Sequence, residues 1–193
     1  MEGSNIKSIM FKPNKSIKIK TIEEKQRKRV VSENWKFDSN YYEHENQINM
    51  IINIKNNNLI YNDDVSKIAL QEINKKIYGY KQQDIIKKIL NEEKFINLDS
   101  IINKMIECKL KCYYCQIQMN VLYDISREMK QWTVDRINND LGHNIDNYYL
   151  ACLECNLKRR RRSDDKFLFT KQLKLVKIDE LVKIDELLKK DEN

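Results

Sequence analysis

Two cysteine pairs constrain this chain more than anything else in it: Cys112-Tyr113-Tyr114-Cys115 and Cys152-Leu153-Glu154-Cys155. A CxxC spacing turns two thiolates onto one tetrahedral ion, and two such knuckles supply the four ligands of a closed structural zinc site. The expectation is one structural Zn2+ held by Cys112, Cys115, Cys152 and Cys155. Disulfides are the competing use of four cysteines. The opening Met-Glu-Gly-Ser-Asn carries no apolar leader, and no apolar run approaches the ~18 residues of a membrane span, which points to an intracellular chain, cytoplasmic or nuclear, with reduced thiols. The fifth cysteine, Cys108, offers only a CxxxC spacing and is read as a free thiol, buried or half-buried.

Between the knuckles the pattern changes quickly. Trp132 to Ile137 alternates apolar and polar as a strand does, Asn138 to Asn144 with Gly142 is turn-rich, Asn147 to Ala151 suits a second strand, and a helix then runs from the cysteines through Leu157 toward Arg162. Asn120 to Met129 reads as a helix or a strand-turn. Val121, Leu122, Tyr123 and Ile125 are expected to form a small core with Trp132, Val134 and Ile137, so small that loss of zinc should unfold it. Asp135 at the end of one strand and Asn156 on the facing helix are placed to hold one divalent ion with open positions for water and phosphate.

On Cys112, Cys115, Asp135, Asn147, Cys152, Cys155, Asn156 and the basic run from Lys158, this stretch resembles the HNH endonucleases of the ββα-metal fold, in their zinc-stapled four-cysteine branch. It is also similar to HNH-like proteins of large DNA viruses and phages, which would put it in a virus-infected host cell. The resemblance covers about a quarter to a third of the chain. It implies a metal-dependent DNA endonuclease that hydrolyses phosphodiester bonds. Asp135 and Asn156 would be ligands of a catalytic Mg2+ or Mn2+, Asn147 would orient the loop or the base, and DNA would be the partner.

The departure from that family lies at Arg136, where the usual motif has the histidine that takes a proton from the attacking water. A guanidinium stays protonated and cannot act as that base. Three outcomes stay open. His143 swings over the metal as the base; or Tyr148 or a metal-bound hydroxide does so while Arg136 stabilises the phosphorane charge; or catalysis is lost and a zinc-containing nucleic-acid-binding protein remains.

Outside this stretch, three glycines and one proline in 193 residues favour helices, so the class expected is α+β. It would comprise a basic, partly flexible arm (1–60), a helical region (61–107), the zinc-stapled module (108–170) and a C-terminal amphipathic helix (171–193). Residues 46–62 are expected to hold one short strand or helix. Asp63 or Asp64 caps a helix that Gly79 should end, Gln82 to Glu92 makes a second, and Asp99 begins a third. The formal charge of +7 concentrates in residues 1–36, net +6, and in the module, net +3. Lys158, Arg159, Arg160, Arg161 and Arg162 exceed what helix-end capping needs and are expected to grip phosphates without reading sequence. The repeated Lys-Ile-Asp-Glu-Leu from Lys177 and Lys183 steps by six residues, too few for a fixed coiled-coil seam, and suggests a helix docking on the body or a partner.

Overall fold

The structure is a computed structural model and describes residues 8–11, 27–56 and 64–177. Three helices form its first layer: α1 (His44–Lys55), α2 (Asp64–Ile86) and α3 (Leu98–Glu107). Met50, Ile51 and Ile54 of α1 recur at helical spacing and bury themselves against Val65, Ala69 and Ile73 of α2 and Ile101, Ile102 and Met105 of α3. α3 starts on a capping box in which the Asn97 side chain accepts from the Ser100 amide while the Ser100 hydroxyl accepts from the Asn97 amide.

The second layer is an antiparallel pair, β2 (Trp132–Arg136) and β3 (Tyr148–Cys152), followed at once by α4 (Leu153–Arg159) and then α5 (Asp164–Gln172). Thr133 lies opposite Ala151 and Asp135 opposite Tyr149, so Thr133 and Asp135 share the face that α4 covers. Trp132, Val134 and Leu150 join the helical core, and one buried cluster runs from α1 through the sheet to Phe167 of α5. A separate parallel pair joins β1 (Ser8–Phe11) to β4 (Lys174–Lys177).

Several sequence-based expectations are corrected here. α2 runs through Gly79 to Ile86 as one helix, because Gly79 keeps an ordinary helical backbone; the separate helix expected over Gln82 to Glu92 does not form. Residues 44–55 are helical. Asn120 to Met129 forms turns and isolated bridges, and its backbone is satisfied partly by Gln47 of α1, whose Oε1 accepts from the Val121 and Leu122 amides.

The basic cluster ahead of Val30 is docked at its end. The Arg29 amide donates to the Asp124 carbonyl, its guanidinium pairs with buried Glu72, and the ring of Tyr123 lies 4.4 Å from that guanidinium. The expected helix from residue 171 is replaced by the end of α5 and by β4, and the repeat beyond Lys177 lies outside the described residues.

Candidate metal centre and the β2–α4 interface

The first knuckle needs its chain to reverse twice in a few residues. Lys109, Leu110 and Gln116 accordingly take left-handed φ values of 50°, 51° and 59° without being glycine. The second knuckle is continuous with a helix: Cys152 is the N-cap of α4, its Sγ accepts from the Cys155 amide, and the cysteine at position three of that turn faces back toward it. The four sulfurs lie within 4.8 Å of one another, and Cys115 Sγ stands 3.8 Å from Cys152 Sγ. Four thiolates at 2.3 Å from one tetrahedral ion are about 3.8 Å apart, so the donor set fits a structural metal ion such as zinc.

Packed this closely, the thiols compete for protons. Hydrogen bonds from Cys152 and Cys155 pull Cys112 far below the ordinary thiol value, and the same contacts push Cys152 and Cys155 up. Cys108 stays apart, half-buried, its thiol raised by burial and donating to the Met105 carbonyl.

Of the remaining residues named from sequence, Asp135, Asn156 and Arg159 meet at the β2–α4 interface, with contacts other than those expected. Asp135 is 4% exposed. Its carboxylate accepts from the Tyr114 hydroxyl at 2.7 Å and from the Arg159 guanidinium at 2.8 Å. Arg159, 1% exposed, also donates to the Arg136 and Ile137 carbonyls, each at 2.7 Å. Burial pushes the Asp135 carboxyl above its usual range, while Tyr114 and Arg159 pull it back. Asn156, one helical turn before Arg159, donates its amide to Thr133 Oγ1 and the Val134 carbonyl. Asp135 and Asn156 therefore do share the β2–α4 interface. Yet the space beside the carboxylate holds a guanidinium, and a divalent ion does not fit there with Arg159 in place.

His143 is buried at 3% exposure, with Nδ1 donating to Asp84 Oδ1 at 2.7 Å and its amide to Asp84 Oδ2 at 2.6 Å. The Tyr80 ring stacks on it at 4.7 Å. Burial lowers the pKa of this imidazole and Asp84 raises it, but its ring is turned into α2 and is not placed as a base for water at Asp135. Tyr148 points into the helical layer and donates to the Ser100 carbonyl.

Arg136 donates to the Asn139 and Leu141 carbonyls, and Asn147 bonds Asn138 and the Gly142 carbonyl, so both hold the loop between the strands. Arg159 is likewise corrected: of the five basic residues assigned to phosphates, it is the one turned inward.

Asp84, Tyr80, Tyr114 and Glu72 complete these contacts and were not named from sequence. A carboxylate inside the long apolar periodicity of α2 is the one signal that singles out Asp84, since such a residue is buried only with a partner. The chain matches no protein-family model, no curated protein and no solved structure.

Proposed function

We propose that this chain binds nucleic acid through the outward cationic turn at the end of α4, on a zinc-stapled, HNH-like ββα scaffold in which Arg159 takes the position of the catalytic ion. The observation that carries the proposal is the split within Lys158 to Arg162. Arg159 turns in and neutralises Asp135, while Lys158, Arg160, Arg161 and Arg162 stay exposed.

Their present partners are easily given up. Lys158 pairs with half-buried Glu154 one turn back, and Arg161 with exposed Asp140 at 3.1 Å, surface ion pairs that water and salt screen. Arg162 lies over the Phe167 ring, and no described residue partners the Arg160 guanidinium. Arg160 also ends the helix at φ 56°, which turns the following arginines away from the helix axis. A turn with four exposed cations matches a phosphate backbone and carries no pattern for bases.

The nuclease reading retains one supporting observation, the approach of Asp135 and Asn156 across the β2–α4 interface. It requires Arg159 to leave Asp135. Purified zinc-loaded protein separates the two. Binding of labelled DNA that weakens steeply with salt, with the slope falling by about 1 for each of Arg160→Ala and Arg161→Ala, and no nicking of plasmid DNA with Mg2+ or Mn2+, is the expected result. Nicking that Asp135→Ala abolishes with zinc content unchanged would establish the nuclease instead. Absence of any DNA binding would end the proposal.

A further inference from the structure

An open groove of about 670 Å3 lies away from the β2–α4 interface, on the outer side of the first knuckle. Its volume falls in the ~300–1,000 Å3 range of ligand clefts. Its walls are Tyr42 just ahead of α1, His44 at the start of α1, and the two short segments on either side of the 121–129 turns, which bring Lys111, Gln118, Asn120 and Lys130 together. The bridges Lys111 to Gln118 and Asn120 to Gln131 align these segments, so Gln118 and Asn120, two residues apart on extended chain, project to the same side.

Little of its polar lining is used: Lys111 and Lys130, like Lys75, Lys87 and Lys88 elsewhere on the surface, have no carboxylate in salt-bridge reach among the described residues. The side-chain amides of Gln118 and Asn120 likewise have no described hydrogen-bond partner. At the edge of the groove the His44 ring donates through Nε2 to the Lys109 carbonyl at 3.2 Å, which leaves Nδ1 as an acceptor, and that atom is buried with no partner. Two cations and two side-chain amides along one concave lining suit a ligand that carries both phosphates and hydrogen-bonding edges, and Glu43 is the single acidic group in that lining.

We infer that this groove is a base-reading site for single-stranded nucleic acid. Lys111 and Lys130 meet two phosphates, the Gln118 and Asn120 amides pair with the donor and acceptor of a base edge, and the Tyr42 ring is available for stacking. The inference rests on the nucleic-acid reading above and adds to it a strand type and a sequence preference that the α4 turn lacks. A concave groove of this size admits splayed bases and excludes a duplex. An amide presents one donor beside one acceptor, the pattern that matches adenine best.

The groove wall is fixed to the start of α4, because the Leu153 and Glu154 amides donate to the Gln131 and Met129 carbonyls, and the helix, about 10 Å long, ends in the cationic turn.

The test is fluorescence anisotropy of zinc-loaded full-length protein with labelled 12-nucleotide dA, dT and dC strands and a 12-base-pair duplex. The wild type should prefer dA over dT by about five-fold or more, the low end for one bidentate amide contact. Gln118→Ala with Asn120→Ala should level the homopolymers without changing the salt slope. Lys111→Ala with Lys130→Ala should keep the preference but lower the slope by about 0.7 per lost phosphate. All four side chains are partly or fully exposed, so unchanged zinc content and circular dichroism confirm that the variants fold.

Equal affinity for the homopolymers in the wild type, or a preference that survives removal of both amides, would overturn the inference. If binding then still depends on Arg160 and Arg161, the proposed function stands without it. No binding to any probe defeats both.

Discussion

Replacing Arg159 by methionine is the sharpest perturbation of the β2–α4 interface, because it keeps the apolar stem and removes only the guanidinium. Three charge-assisted bonds go with it, to Asp135 Oδ1 at 2.8 Å and to the Arg136 and Ile137 carbonyls at 2.7 Å. The carboxylate left behind is 4% exposed and keeps a single donor, the Tyr114 hydroxyl. Breaking a buried ion pair from one side costs about 3–5 kcal/mol, chiefly the cost of the stranded charge, against a total stability of about 5–15 kcal/mol for a typical domain.

For a chain of this length each kcal/mol shifts Tm by about 2–4 °C, so Arg159→Met should lower Tm by about 6–20 °C. Adding Asp135→Asn removes the stranded charge, so the double variant should recover about 2 kcal/mol or more over Arg159→Met alone. Urea unfolding of zinc-saturated protein followed by Trp132 fluorescence measures both. A loss below about 1 kcal/mol, or strictly additive effects of the two substitutions, would mean that Arg159 is not the counter-charge of Asp135.

Three further outcomes are expected. At Gly142 an added Cβ would come within 2.7 Å of the Ile89 carbonyl and 2.8 Å of Asp84 Oδ2, so Gly142→Ala should cost more than about 2 kcal/mol by denaturant unfolding; Gly79, with nothing near its missing Cβ in mid-helix, should gain about 0.5–1 kcal/mol as Gly79→Ala. Lys76 donates to Gln131 Oε1 and the Trp132 carbonyl between the Tyr123 and Trp132 rings, and burial pulls its pKa down to about 7. The unfolded chain then binds more protons than the native one between about pH 7 and the ordinary lysine value, so stability should rise with pH across that window, and Lys76→Met should flatten the rise in parallel urea titrations. The four-sulfur cluster should take up one Co2+ per chain with the strong visible absorption of tetrahedral thiolate coordination. Cys112→Ser or Cys155→Ser should weaken uptake by at least an order of magnitude in a competition titration, and Cys108→Ser should leave it unchanged.

The parts of the fold that were legible in the sequence are those set by local pattern. The alternation from Trp132, the second strand from Asn147 and the helix through the second knuckle each follow from spacing within a few residues, and the structure has β2, β3 and the start of α4 within one or two residues of those places, while α4 ends at Arg159, short of Arg162. Errors arise where a local rule met a tertiary one. Gly79 carries the standard stop signal, but the helix on either side of it buries Ile73 toward α1 and Asp84 toward His143, and those contacts outweigh about 1 kcal/mol of glycine propensity. The 120–129 stretch has strand-forming residues but finds its partners one at a time, in Gln47, Arg27 and Arg29, all more than 70 residues away. No window on the sequence contains those pairings.

The candidate site exposes a different limit, one of chemistry. Asp135, Asn147 and Asn156 match the nuclease motif in sequence, and in the structure each has an ordinary structural use: a carboxylate pairs with an arginine, and an asparagine closes a loop or spans a strand and a helix. What separates the two uses is the third partner of Asp135. Arg159 lies one helical turn beyond Asn156, in the middle of a basic run whose exposed members hide it. Its burial follows from the helix period: positions 156 and 159 face the sheet, and 157, 158 and 160 do not. On the proposed reading a guanidinium beside Asp135 also suits an arginine at position 136, where no base would then be needed, and Arg136 holds the loop through Asn139 and Leu141. On that reading the two departures from the nuclease motif account for each other, Arg159 pairing with Asp135 and Arg136 holding the loop. That reading fails if Arg159→Ala, given Mn2+, cuts plasmid DNA that the wild type leaves intact.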